Sequence, residues 1–170
     1  VVMTHASNVC GTIQPAADIG GLCRDRDVLF LLDAAQTAGL LPVDMEALQA
    51  DLVAFTGHKS LLGPTGTGGL VVGPRADLTS SVWGGTGVRS SEDEHPADFP
   101  WRLDAGSGNT VGLVGLDAGV GWLDSLGAEK SLAHAALGTG DLGSVRFSFG
   151  PFTSDRDIDT TVEALASLAS

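Results

Sequence analysis

Residues 28–39 read VLFLLDAAQTAG and residues 51–72 read DLVAFTGHKSLLGPTGTGGLVV. These two stretches decide the fold. Each carries a short apolar run. The first run ends on a carboxylate, Asp33, with an amide three residues on at Gln36. The second, Leu52 to Thr56, ends in Gly57-His58-Lys59. Strands buried on both faces of a parallel sheet read as short apolar runs of this kind. Ligands in open α/β sheets bind just beyond the carboxyl ends of such strands. Two adjacent strand ends would then present an acid, an amide, the Thr56 hydroxyl, an imidazole and an amine to one crevice.

Working outward, a strand is expected near Val1 to Thr4, a helix near Pro15 to Arg24 and a strand over Val28 to Asp33. A short helix is expected over Asp44 to Gln49, then strands over Leu52 to Phe55 and Gly69 to Val72. This alternation argues for an α/β fold with a mixed, mostly parallel sheet and crossover helices. Thr79 to Pro100, rich in Gly, Ser and acids, reads as a long exposed excursion of the kind that is often functional or at an interface. Val111 to Leu126 carries glycines at 112, 115, 119 and 121, which suit a helix packed closely on another backbone. From Ser154, a helix cap followed by acids and a stripe of Ile158, Val162, Leu165 and Leu168 predicts a terminal amphipathic helix.

Composition excludes several classes. With 170 residues and 43% hydrophobic content, the chain can bury one sizeable core. Its 21 acidic and 9 basic residues give a formal charge of −12. It has no basic run, so a nucleic-acid partner is disfavoured, because neutralising phosphates needs clustered Lys and Arg. No apolar run reaches the roughly 18 to 20 residues of a membrane span. The opening VVMTHASN has no signal-like segment and begins inside an expected strand, as a fragment boundary would. Cys10 and Cys23 are too few for a disulfide framework and are expected to be small buried hydrophobes in a reducing cytoplasm. His5, His58, His95 and His134 show no metal-ligand spacing, so no protein-built metal site is expected.

The residues at the two strand ends match the needs of pyridoxal phosphate (PLP). A lysine amine forms a Schiff base with it, a carboxylate keeps its ring nitrogen protonated, and hydroxyl and imidazole groups hold its phosphate. A competing motif, Gly63-Pro64-Thr65-Gly66-Thr67-Gly68, opens like a nucleotide-binding P-loop. That motif continues with Lys and Ser or Thr and opens a helix, whereas here Gly69 and Leu70 follow and begin a strand. The segment is instead a glycine-permitted turn that lets the chain double back behind Lys59.

Five blocks then carry a specific resemblance: THASNVCGTIQP (4–15), LLDAAQTAGLLPVDM (31–45), DLVAFTGHKSLLGPTGTGGLVV (51–72), DAGSGNTVGLVGLDAGVGWL (104–123) and VRFSFGPFTSDRDID (145–159). Together they resemble class V aminotransferase-fold proteins and are most similar to the cysteine desulfurase branch. The resemblance implies a fold-type I PLP-dependent transferase, with residues 1–126 a partial PLP-binding large domain and 127–170 a remnant of the small C-terminal domain. It also implies a homodimer, a cysteine-like amino-acid substrate and a sulfur-acceptor protein as a possible partner. A class V aminotransferase, a selenocysteine lyase or a non-catalytic fragment would share the same cofactor ligands.

Roles follow from the resemblance residue by residue. Lys59 would be the catalytic Schiff-base lysine and Asp33 the partner of the pyridine nitrogen, where a nearby cation keeps a carboxylate ionised. Gln36 would donate to the ring's phenolic oxygen. Thr56 and His58 would hold the phosphate, with Asn8 near the ring. Ser107 stands where relatives usually have threonine, its hydroxyl reaching the other subunit's phosphate. Arg146 would bind the substrate carboxylate, for which a guanidinium fork is suited. Relatives also carry an N-terminal phosphate-binding turn, a residue stacked on the ring and a mobile-loop cysteine that attacks the substrate sulfur. Gly127-Ala128-Glu129-Lys130 runs straight into Ser131-Leu132-Ala133-His134 with no such cysteine, so the nucleophile is not expected within this sequence.

Overall fold

The computed structural model describes residues 1–125 apart from Ser90. Four strands, β1 (Val2–Thr4), β2 (Leu31–Asp33), β3 (Leu52–Thr56) and β4 (Gly68–Val72), form one sheet in that spatial order. The first three run parallel, with Val2, Leu31 and Leu52 in register at one end and Thr4, Asp33 and Ala54 at the other. β4 runs antiparallel to β3, pairing Leu52 with Val72 and Thr56 with Gly68. A mixed, mostly parallel sheet is what the apolar runs and the intervening helix imply.

The crossover from β1 to β2 is helix α1 (Ala16–Asp25), which buries Ala16, Gly20 and Cys23. These small side chains let the helix lie close to its neighbours. A side chain at Gly20 would collide with the Leu48 carbonyl. The core joins Ala16 and Cys23 of this helix to Phe30, Leu32, Ala34, Ala50 and Val53, with Met3, Ile19, Met45 and Leu48 packed at its margin. Met3, Leu32 and Val53 are aligned across the three parallel strands, so this row is the covered face. Phe30 and Leu32 are fully buried, a contribution of roughly 1.5–3 kcal/mol each.

Two elements differ from expectation. The strand over Val28 to Asp33 is shorter, because the Val28 N–H caps α1 on the Cys23 carbonyl and the Phe30 N–H bonds to the Asp51 carboxylate at 2.9 Å. Asp44 to Gln49 forms hydrogen-bonded turns in place of a helix. Asp44 Oδ1 accepts from the Glu46 and Ala47 N–H groups, and Gln49 at φ 51° turns the chain out toward β3 before a second turn can form. Among the described residues, Thr79 to Pro100 contains no strand or helix, consistent with the expected excursion. Helix α2 (Thr110–Ser125) lies where the glycine-rich stretch predicts it. The expected helix after Ser154 and the 127–170 unit lie outside the described residues.

Asp51 secures the amino edge of the sheet. It is 3% exposed and holds the Phe30 N–H, the Arg75 guanidinium at 3.0 Å and, at 3.8 Å, Arg24. Arg75 also reaches Asp27, so the segment after β4 is tied to the turn between α1 and β2. The two cysteines part company here. Cys23 is buried as expected, but Cys10 is exposed on the loop after β1, which corrects the expectation that both are buried. The loop bulges outward because an isolated bridge pairs Ala6 with Ile13 and leaves the residues between them at its tip. Hydrogen bonds involving Ser7 and Thr12 bring the Cys10 thiol down to about 7.

Replacing Asp51 with Ala would leave a buried N–H and a guanidinium unpaired, and should destabilise the protein by about 3 kcal/mol in urea unfolding. Iodoacetamide at pH 8 should alkylate Cys10 and spare Cys23, with the Cys10 rate falling as pH drops below about 7, where the thiolate takes up its proton. Peptide mass mapping of the labelled protein reads both rates.

Candidate functional site

Because β1, β2 and β3 run parallel, Thr4, Asp33 and Thr56 leave the sheet at one edge. Asp33 is half-buried there. Its Oδ1 accepts the Ala35 N–H at 2.9 Å, and among the described residues Oδ2 has no protein partner. The strand is fixed on both sides: the His5 N–H donates to the Asp33 carbonyl and the Ala34 N–H to the Ala54 carbonyl, each at 2.8 Å. A single helical turn follows, with the Thr37 and Ala38 N–H groups both on the Ala34 carbonyl, and it carries the half-buried Gln36.

Lys59 lies in the loop that leaves β3. The Gly57 N–H bonds to the Thr67 carbonyl and the Gly63 N–H returns to the Gly57 carbonyl, each at 2.8 Å. The Gly63–Gly68 turn is thus the doubling-back segment that the sequence implies. Thr67 Oγ1 closes it on the Pro64 carbonyl at 2.6 Å. Lys59 is half-buried and His58 exposed, and among the described residues neither Lys59 nor Asp33 is in an ion pair.

Two close approaches bring these segments together. Gly39 sits at φ +85°, and a Cβ there would lie 2.7 Å from the Ser60 carbonyl oxygen, so the Asp33 turn and the Lys59 loop touch backbone to backbone. From the other side, α2 rests on the same loop: a Cβ at Gly115 would lie 2.7 Å from the Pro64 ring, and one at Gly119 2.7 Å from the Leu61 carbonyl oxygen. Gly115 and Gly119 thus serve the close packing expected of the four α2 glycines, whereas Gly112 meets the Asn109 side chain and Gly121 faces open space.

The remaining candidates are placed less uniformly. Thr56 is half-buried and donates to the Ala35 carbonyl at 3.4 Å, a long bond that a better acceptor would displace. Asn8 is exposed on the loop after β1. Ser107 is exposed ahead of α2, and the neighbouring Asn109 anchors that segment to the Gly66 carbonyl at 3.3 Å. Arg146 lies outside the described residues. Sequence reasoning missed His5 and Thr37. Both are buried, at 5% and 2% exposed, and His5 Nδ1 meets Thr37 Oγ1 at 2.9 Å. Their signal was present but faint: a histidine at the end of one strand and a threonine just past Gln36, linked only once the strands pair.

The donor set fits PLP. A carboxylate and an amine, neither in an ion pair among the described residues, sit on adjoining loops, with a hydroxyl at the strand end between them. Among the described residues no group of His, Cys, Asp and Glu is arranged to hold a metal ion, and no helix is long and apolar enough to cross a membrane.

Comparison with known proteins places the family and the fold. The family described as Aminotransferase class-V matches residues 1–142. A probable cysteine desulfurase of Methanothermobacter thermautotrophicus is 39% identical over 148 residues, covering 84% of this chain and 36% of the relative. A cysteine desulfurase structure from Thermococcus onnurineus superposes with a TM-score of 0.63 at 24% identity, over 97% of this chain and 47% of that one, which supports the fold. The cysteine desulfurase CsdA from Escherichia coli gives a TM-score of 0.62 at 28% identity, over 81% of this chain and 37% of its own. The chain thus spans about a third of the length of its curated relative. A match over most of the chain, together with a lysine and a carboxylate at adjoining strand ends, makes this a member of the class-V aminotransferase family with the fold-type I architecture.

Proposed function

We propose that this chain is the cofactor-anchoring portion of a PLP-dependent cysteine desulfurase, which converts cysteine to alanine and leaves the sulfur on an enzyme thiol. The observation that carries the reading is the backbone contact between the Asp33 turn and the Lys59 loop, which holds an acid and an amine at neighbouring strand ends. The named activity of the relatives supports the choice of cysteine as substrate. When bound, PLP supplies a protonated pyridine ring that accepts the electrons of the substrate's broken Cα–H bond.

The chain's own groups have distinct tasks. Lys59 Nζ would tether the cofactor and is the base assigned to the substrate's α-proton. Asp33 Oδ2, without a protein partner among the described residues, would keep a proton on the ring nitrogen, while the Ala35 N–H on Oδ1 fixes the carboxylate's orientation. Gln36 donates to the ring's phenolic oxygen and Asn8 lies near the ring. Thr56 and His58 bind the phosphate, the Thr56 hydroxyl giving up its long bond to Ala35. Arg146 binds the substrate carboxylate. Neither cysteine stands just before Leu132-Ala133-His134, where the resemblance places the thiol that takes the sulfur; Cys23 is buried in the core and Cys10 is exposed on the loop after β1.

The assembly we propose is a cytoplasmic homodimer in which Ser107 serves the partner's phosphate, with a sulfur-acceptor protein downstream. Residues 1–126 belong to the large domain and 127–170 to the small one. The exposed Val111 and Val114 on α2, 85% and 67% exposed, support an interface on that helix.

Borohydride reduction of PLP-loaded protein should attach the cofactor to the Lys59 peptide and leave Lys130, the other lysine, unlabelled. Label at Lys130 alone would overturn the proposal. Asp33→Ala should retain most PLP affinity but slow α-proton exchange by at least tenfold, because a charge-assisted contact of about 1.5–3 kcal/mol is lost. Exchange in deuterated buffer, followed by proton NMR, measures the loss.

A further inference from the structure

Histidine is rarely buried without a task, and His5 has none in the reaction above. It stands one residue beyond β1, buried, and burial holds its imidazole below the usual range, so the ring is neutral. Its Nδ1 meets Thr37 Oγ1 at 2.9 Å, and its own N–H donates to the Asp33 carbonyl at 2.8 Å. Thr37 in turn is bound through its N–H, at 2.9 Å, to the carbonyl of Ala34. His5 therefore touches the Asp33 turn at both ends, entering it through its backbone and leaving it through its side chain. Among the described residues, the other side chain that reaches this turn from a neighbouring strand end is Thr56, through its long bond to Ala35, and that hydroxyl is the one the functional reading assigns to a phosphate.

We infer that His5 is a positioning residue: a buried strut that, with Thr37, holds the Asp33–Thr37 turn rigid so that the Asp33 carboxylate keeps its aim when Thr56 lets go. The inference rests on the functional reading above, and it assigns a role to two residues that make no contact with cofactor or substrate. A charged side chain here would be costly to bury, and an apolar one would leave the Thr37 hydroxyl only its long 3.5 Å bond to the Ala34 carbonyl, so a polar, uncharged ring suits the place.

The test uses the protein expressed from its complete coding sequence and three variants. His5→Phe keeps the ring without the hydrogen bond, His5→Asn keeps a polar atom near the place of Nδ1, and Cys23→Ala loosens the core away from the strand ends. Without cofactor, amide hydrogen exchange at Ala35 and Thr37, measured relative to Leu32, should rise in His5→Phe, recover in His5→Asn and stay unchanged in Cys23→Ala. With PLP, His5→Phe should shift the visible absorption of the bound cofactor. It should also lower kcat for α-proton exchange by about tenfold to a hundredfold, with KM for cysteine unchanged. Unchanged exchange at Ala35 and Thr37 would remove the strut itself. Faster exchange with an unaltered spectrum and kcat would leave a structural bond and overturn the positioning role. Wild-type protein that takes up no PLP would defeat the functional reading and the positioning role with it, while the exchange measurements would still report whether the strut exists.

Discussion

The close passage of Gly39 against the Ser60 carbonyl is the contact on which the candidate site depends. Sheet pairing brings Asp33 and Thr56 to one edge, but it does not settle where the loops beyond them go. A side chain at residue 39 would hold the two loops apart, and its positive φ would add strain for any residue but glycine. With the loops in contact, α2 can settle onto the Lys59 loop through Gly115 and Gly119, and that loop is gripped from two sides. The proposed chemistry would draw on this grip, since a lysine that tethers a cofactor and moves a proton needs a positioned loop beneath it.

The sheet's edges divide the work. At the amino edge Asp51, Arg75, Arg24 and Asp27 form an ionic clasp around a buried carboxylate. At the carboxyl edge the fastening is neutral: backbone hydrogen bonds, the His5–Thr37 pair and glycine contacts. Charge at that edge is thereby reserved for groups that would meet a ligand. A second fixed charge beside Asp33 would compete for its free oxygen and shift its proton affinity.

Much of this was legible in the chain. The apolar runs located β2, β3 and β4, and the polar residues that end them marked the site, because strand burial and strand-end chemistry are both local in sequence. Tertiary bonds escaped detection. Phe30 reads as mid-strand, yet its N–H is taken by Asp51, twenty-one residues away, and the strand starts one residue later. Asp44 to Gln49 has helix-forming composition, but the Asp44 side chain bonds locally and Gln49 turns out of the helical region. Cys10 reads as packed because it follows a strand, whereas the Ala6–Ile13 bridge throws it to the surface. His5 and Thr37 are thirty-two residues apart, and nothing in either neighbourhood names the other.

The distance between the two edges has its own consequence. Asp33 is level with Ala54 on β3, and Asp51 stands three residues earlier on the same track, so the carboxylates are separated by about 10 Å of strand. That is close to a Debye length at moderate salt, although the path between them runs partly through protein. Asp51 is held by its partners at one end and Asp33 by the Ala35 N–H at the other, and the sheet acts as a spacer between them. Natural variation can therefore rework the clasp, by exchanging Arg24 or Asp27 or lengthening the turn after β4, without retuning the carboxylate at the opposite edge. In such an arrangement the residues that fasten the sheet at one edge are physically separate from those assigned to chemistry at the other.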